Sequence, residues 1–314
     1  MRKLLMLVFP MILCVACLLV GARAETERSV LLDNAFRFLE ENNSFTERYN
    51  RLTGAQVEPL FPTGMPYFFG GKDFKDVMAR YPRFRKKNCL EQTSYYRRGQ
   101  SYVYGLDCHG FINAVRTESG YSEIPALSIL YNPIHKDKST GQRYNWKQYY
   151  VWWQYAAGSP NPDNPLPEPD EIRDDAVIGD LMLVHSKGNH ILMYIGTLRD
   201  FGYTEEEVPA LEDYLDYPLM IHCGPSPVYG ERIQTQVIDA EPDYFKRTNT
   251  TNGGVQVSIW GVPREAAESH VTVQGTDFDF FLLPNGQVLT IYDMRNVSKW
   301  RWLRLPEKVP VPKH

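Results

Sequence analysis

Apolar residues recur three and four positions apart at Leu31, Ala35, Phe38 and Leu39, and this spacing over 29–50 predicts an amphipathic helix starting near Ser29. A second helical face runs through Cys108, Phe111, Ile112 and Val115, with Asp107 at the N-cap position and Gly120 where such a helix would stop. Between them, Pro and Gly surround a short aromatic strand or turn at Tyr67–Phe69, and Gly70-Gly71 breaks any regular element. Residues 72–101 are basic and aromatic without a clear period and read as a loop-rich insertion.

The pattern then turns to strands. "AVIGDLMLVHSKGNHILMYIG" alternates as two strands, Asp180–Val184 and His190–Ile195, joined by a turn through Ser186–Asn189. Thr204 followed by Glu207 has capping-box spacing, so a short helix is expected before the strand "PLMIHC". "VQVSIWGV", "HVTVQG", "DFDFFLLPNGQVLTIYDM" and "WRWLRL" carry β-branched and aromatic residues between turns, one of them at Pro284-Asn285-Gly286. Residues 131–170 hold an aromatic run, "YYVWWQY", followed by the proline-rich "SPNPDNPLPEP", and read as a long surface loop. Its Trp and Tyr rings suit either buried packing or stacking on sugar rings. Helices on the N-terminal side and strands on the C-terminal side give an α+β chain without internal repeats.

Composition adds compartment and excludes partners. Arg2 and Lys3 precede an apolar run from Leu4 to Val20 that ends in "GARAE", the small-residue pattern of a cleaved export signal over residues 1–24. Loss of that segment takes the formal charge from −4 to −7, which provides no basic footprint for nucleic acid or for an anionic membrane. A secreted or cell-wall-associated protein is expected, free of the membrane after cleavage. Cys14 and Cys17 leave with the signal, and Cys89, Cys108 and Cys223 remain. They form either one disulfide, Cys89 with Cys223, and a free thiol, or three free thiols.

Cys108 carries the candidate chemistry. In the first turn of a helix, unpaired N–H groups and the macrodipole favour a thiolate, and the cysteine's own N–H can bind a developing oxyanion. A nucleophile needs an imidazole base held in the right tautomer by a third group. His190, at the start of the second hairpin strand, is the expected base. His222, on the next strand, is the expected orienting residue, since alternation puts His190 with Leu192 and Tyr194, and His222 with Met220. His185 is the rival base, while His135 and His270 have no motif around them and read as surface residues. "RFRKK" and "TEEEV" read as solvated charge runs.

These segments together resemble the NlpC family of bacterial cell-wall cysteine peptidases, which have a papain-like fold. "PYFFGG" is similar to the aromatic-Gly-Gly element before the family nucleophile, and "LDCHGFI" to its Asp-Cys-Ser-Gly signature. "GDLMLVHSKGNHILMYIG" is similar to its hairpin, and "IHC" to the strand of the third catalytic residue. The resemblance covers about residues 61–230. It implies Cys108 as nucleophile, His190 as base and His222 as orienting group, with Tyr67 and Asp107 lining the cleft and Asp107 facing the free amine of a muropeptide. His109 stands where the family has Ser, and either contacts substrate or lines the helix. Roughly 35 extra residues between Gly71 and Asp107, and an insertion at 197–218, are departures that would shape the cleft.

The resulting expectation is a signal at 1–24, a helical segment at 25–60, an NlpC-type catalytic domain at 61–264 and a β-rich C-terminal extension at 265–314. N-terminal helices would pack on an antiparallel sheet. The expected activity is cleavage of peptidoglycan stem peptides or muropeptides at the γ-D-glutamyl bond to a diamino acid, without metal or organic cofactor. An amidase or acyl transferase with the same triad, and a silent wall-binding protein, are the alternatives.

Overall fold

The computed structural model describes residues 29–61, 64–65, 67, 71–85, 105–155, 169–185, 189–227, 253–273, 276–292, 297 and 299–310. The expected export signal and Cys89 lie outside them. The chain is a mixed α+β protein in which helices cover one face of a large sheet.

Where one N-terminal helix was expected there are two, α1 (29–36) and α2 (Ser44–Thr53). The break spans 37–43 and closes at "NNS": Asn42 adopts the left-handed region at φ 62°, and Asn43 caps α2 by accepting a hydrogen bond from the Phe45 N–H. Asn tolerates both roles better than most residues, so the local geometry ends the periodic pattern. The apolar positions still reach one core, because Leu31, Ala35, Phe36, Phe38 and Leu39 are all buried with Phe45 and Tyr49.

The supposed loop after Gly71 opens with another helix, α3 (Phe74–Arg85), in which Oδ1 of Asp73 accepts from the Asp76 N–H at 3.1 Å. Helix α4 (Cys108–Glu118) begins at its Asp107 cap as expected, and α5 (Leu127–Leu130) follows. The segment read as a surface loop is ordered over 131–155. A hairpin of β1 (Ile134–Lys136) and β2 (Arg143–Asn145) leads through a 3-10 turn into β3 (Tyr150–Tyr155), with Tyr144 stacked on the buried Trp146. The aromatic run is thus an edge strand, held there by pairing with a strand from far down the chain. A short helix α6 (Pro169–Asp175) precedes the main hairpin.

That hairpin, β4 (Leu181–His185) and β5 (Asn189–Thr197), pairs in the expected place, with Val184 opposite His190. The reciprocal Thr204–Glu207 bonds form at 3.3 Å each but lead into a 3-10 helix, Pro209–Tyr214. Glu207 pairs with Arg48 at 2.9 Å and stays exposed with the rest of the 204–207 charge run, as expected. Then come β6 (Pro218–Pro227), β7 (Gly253–Trp260), β8 (Ser269–Val273), β9 (Thr276–Leu282), β10 (Val288–Tyr292) and β11 (Lys299–Leu303).

Nine strands form one sheet in the order β3-β11-β4-β5-β6-β7-β10-β9-β8. It is mixed rather than antiparallel, since β10 lies parallel to β7. The chain leaves β7, crosses to the far edge and returns through the β8-β9-β10 meander, which forces that one parallel contact. The strands of 265–310 are therefore built into the same sheet as the β4-β5 hairpin, and β11 is inserted beside β4.

Alternation gives the sheet two buried faces. Leu181, Leu183, Ile191, Met193, Ile221 and Cys223 pack on the helical side, while Met182, Val184, Leu192, Tyr194 and Met220 join Trp260, Trp300 and Trp302 on the other. Trp260 of β7 lies 5.7 Å from Trp300 and 6.0 Å from Trp302 of β11 between ring centroids. In a flat sheet these strands would stand roughly 19 Å apart, because β4, β5 and β6 lie between them. The sheet curls until its tryptophans meet, and this concave side holds a second core.

Candidate active site

Helix α4 is aimed by its backbone. Asp107 N–H donates to the Gly71 carbonyl at 2.7 Å, and Oδ1 of Asp107 accepts from the Gly110 N–H at 2.7 Å. The two segments touch so closely that a Cβ on Gly110 would sit 2.2 Å from the Gly71 oxygen, and a Cβ on Gly71 would sit 2.2 Å from the Gly105 oxygen. No side chain fits either gap, which is the physical content of the Gly-Gly and Asp-Cys-x-Gly motifs. Leu106 completes the clamp by bridging to Tyr67 and by accepting a hydrogen bond from the Cys223 thiol at 3.2 Å.

The sulfur of Cys108 faces three backbone N–H groups, those of Ile191, His109 and Cys108 itself, and each favours the thiolate. Burial outweighs them, and the Asp107 carboxylate adds to it, so the thiol is pushed up to about 12. The helix terminus acts in the expected direction but does not make a resting thiolate. Burial likewise raises the Tyr67 hydroxyl well above its ordinary value, with the neighbouring Cys108, Asp107 and Cys223 adding to the effect. Tyr67 and Asp107 thus stand beside the thiol.

His190 and His222 project from β5 and β6 on the concave side, with Nε2 of His190 3.0 Å from Nδ1 of His222. Their rings are near perpendicular. Tyr292 of β10 stacks on His190 at 3° and meets His222 edge-on. Beyond them the chain of contacts continues: Nε2 of His222 to Oγ of Ser258 at 2.9 Å, then Ser258 to Oγ1 of Thr290 at 2.7 Å. Burial holds His190 down to about 4 and His222 well below its ordinary value, so both rings are neutral at pH 7.

Thiol and imidazoles approach from opposite faces of the sheet. Ile191, whose N–H meets the sulfur, directly follows His190 in β5, and this is where the two halves of the site converge. The β5-β6 ladder ends at Met193–Ile221, short of both histidines. Among the described residues no hydrogen bond joins Sγ of Cys108 to the His190 ring. Gly224 matters here too, because a Cβ would lie 3.1 Å from Nδ1 of His222 and 3.6 Å from Cε1 of His190.

The other candidates fall elsewhere. Nε2 of His109 lies 3.2 Å from each of the Ile124 and Pro125 carbonyls, which ties α4 to the following loop, and burial lowers its pKa. Nδ1 of His185 meets Oδ1 of Asn189 across the hairpin end at 2.6 Å. His270 pairs with Asp279 at 2.7 Å. Cys223 is a buried free thiol. Asp180 of the Gly-Asp-Leu motif is structural: its carboxylate accepts from the Val177 N–H, from Nε1 of Trp302 and from Arg304, which fastens the start of β4 to the segment around β11. Ser258, Thr290 and Tyr292 carry no motif, and alternation identifies their strands but not their neighbours.

Among the described residues no group of three or more His, Cys, Asp or Glu could hold a metal ion, and no helix is long and apolar enough to cross a membrane. No family model, curated protein or solved structure matches this chain.

Proposed function

We propose that this protein is a cysteine peptidase of papain-like arrangement that cleaves peptidoglycan stem peptides, with the γ-D-glutamyl bond to a diamino acid as its target. The observation that carries the reading is the convergence on β5: a cysteine at a helix N-terminus reaches the N–H of the residue that follows a histidine, and that histidine is bonded to a second one.

Both partners begin neutral. The Cys108 proton would pass to Nδ1 of His190, the ring nitrogen left over once Nε2 engages His222, as the sulfur attacks the carbonyl carbon. Contacts of this kind tighten in the substrate complex. The Cys108 N–H would serve the oxyanion, the leaving amine would take the proton from His190, and water activated by the same ring would hydrolyse the thioester. Tyr67 and Asp107, next to the thiol, are the cleft wall nearest the scissile bond, with Asp107 facing the substrate's free amine.

Defined muropeptides digested by wild-type protein and by Cys108→Ala, with products read by mass spectrometry, test the proposal. Cleavage by wild type alone at the D-glutamyl bond is the expected result. Folded wild type that cuts no stem peptide, with Cys108 inert to a thiol probe, would favour a binding protein instead. Release of the stem peptide from the sugar would make it an amidase.

A further inference from the structure

We propose that Ser258 and Thr290 are positioning residues of this site: they fix the tautomer of His222 and, through it, the free nitrogen of His190. The inference rests on reading Cys108 and His190 as nucleophile and base. Four side chains from four strands, β5, β6, β7 and β10, form one file of hydrogen-bond contacts at 3.0, 2.9 and 2.7 Å. All of it lies on the concave side, with the Tyr292 ring against the two histidines.

A file of neutral imidazoles can be protonated in two ways, and only one leaves a base. If the protons point outward, Nε2–H of His190 donates to Nδ1 of His222, and Nε2–H of His222 donates to Oγ of Ser258. Nδ1 of His190 is then bare and can accept the thiol proton. If they point inward, Ser258 donates to His222, Nδ1–H of His222 donates to His190, and Nδ1 of His190 already carries the proton. The ring is then useless as a base on the side left for sulfur.

We assign the Ser258 proton to Thr290, its 2.7 Å neighbour. With the pair in that direction Ser258 presents lone pairs to His222, and the file runs outward. Buried polar groups of this kind have no water to substitute for a lost partner, and Ser258, Thr290 and His222 are all buried. Orienting contacts one step removed from a reacting group are worth roughly 10- to 100-fold in function where they have been measured at metal sites, and a wrong histidine tautomer costs more still in serine proteases.

The test is imidazole 15N NMR on the intact protein, together with the alkylation rate of Cys108 by iodoacetamide and the kinetics of muropeptide cleavage. In wild type, His222 and His190 should both be protonated at Nε2. In Thr290→Val the Ser258 hydroxyl is free to donate to His222, so protons should move to Nδ1 of both rings while alkylation and kcat fall roughly 10-fold or more at unchanged KM. Ser258→Ala should mix the tautomers with a similar loss, and Ser258→Thr, which keeps the hydroxyl, should restore both readouts. Wild-type His222 protonated at Nδ1 would overturn the proposal, as would a folded Thr290→Val that keeps the wild-type tautomers and rates. A tautomer change in Thr290→Val together with no muropeptide cleavage by wild type would uphold the relay and refute the substrate assignment.

Discussion

Cys108 and His190 reach the same stretch of β5 from opposite faces of the sheet, and the two approaches are built from different materials. On the helical side, peptide groups and missing side chains do the positioning: Gly71, Gly105 and Gly110 let three backbone segments touch, and Asp107 spans them with two hydrogen bonds. On the concave side, side chains do it, in a file running from His190 to Thr290. A backbone contact tolerates no added atom, whereas a side-chain file tolerates volume but depends on where protons sit. Damage should therefore appear as lost stability on one face and as lost rate on the other.

The most severe break on the concave side is His190→Ala, which should lower muropeptide cleavage by about 10³-fold, the scale of a general acid–base group, with little change in Tm. A variant with more than a tenth of wild-type activity would remove His190 from the base role. Gly110→Ala is its counterpart on the helical side. The new Cβ would run into the Gly71 carbonyl, and we expect a loss of about 3 kcal/mol in urea unfolding, with activity falling alongside. An unchanged unfolding midpoint would mean that the segments separate at little cost, and the contrast between the faces would fail.

Asp107→Ala removes the cap and should cost about 1 kcal/mol of stability. Cys108 should also become easier to ionise in that variant, because the carboxylate opposes the thiolate. Alkylation measured against pH would show a midpoint below that of wild type, and a higher midpoint would contradict the sign. The smallest effect is on acid stability. His190 and His222 are neutral when folded, with pKa values below the ordinary 6.5, so the unfolded chain binds more protons at mildly acidic pH. Their contribution is complete above about pH 6.5 and is lost as pH falls towards 4. Tm followed over that window should drop less steeply in His190→Gln than in wild type, and parallel curves would argue against a buried neutral ring.

The same contrast explains what could be read from the chain. Gly71, Asp107, Cys108 and Gly110 form a local signature because one close backbone contact demands all of them, and the β4-β5 hairpin was plain from alternation across a short turn. The partners of His222 were not legible. Ser258 lies 36 residues away, and Thr290 a further 32, in a strand that joins β7 in parallel, and periodicity says nothing about which strands pair. Helix α3 was missed because its Asp73 cap was hidden in a basic, aromatic stretch, and the break before α2 because apolar spacing continued through two asparagines. Thiolate stabilisation at the α4 terminus was read correctly in sign, but the burial that outweighs it is a property of the assembled core.

The placing of β11 has a consequence in time. It is synthesised after every other strand of the sheet, yet its position is internal, between β3 and β4, and it brings Trp300 and Trp302 to the concave core. Until residues 299–303 have emerged, β4 lacks one neighbour and the curl that brings β7 towards β11 has nothing to close on. Assembly of the β4-β5 hairpin's surroundings thus waits until every other strand of the sheet and then β11 have been made. A chain arranged in this way carries its own delay: a partly made one holds every proposed catalytic residue but lacks the strand that lets them be set in place.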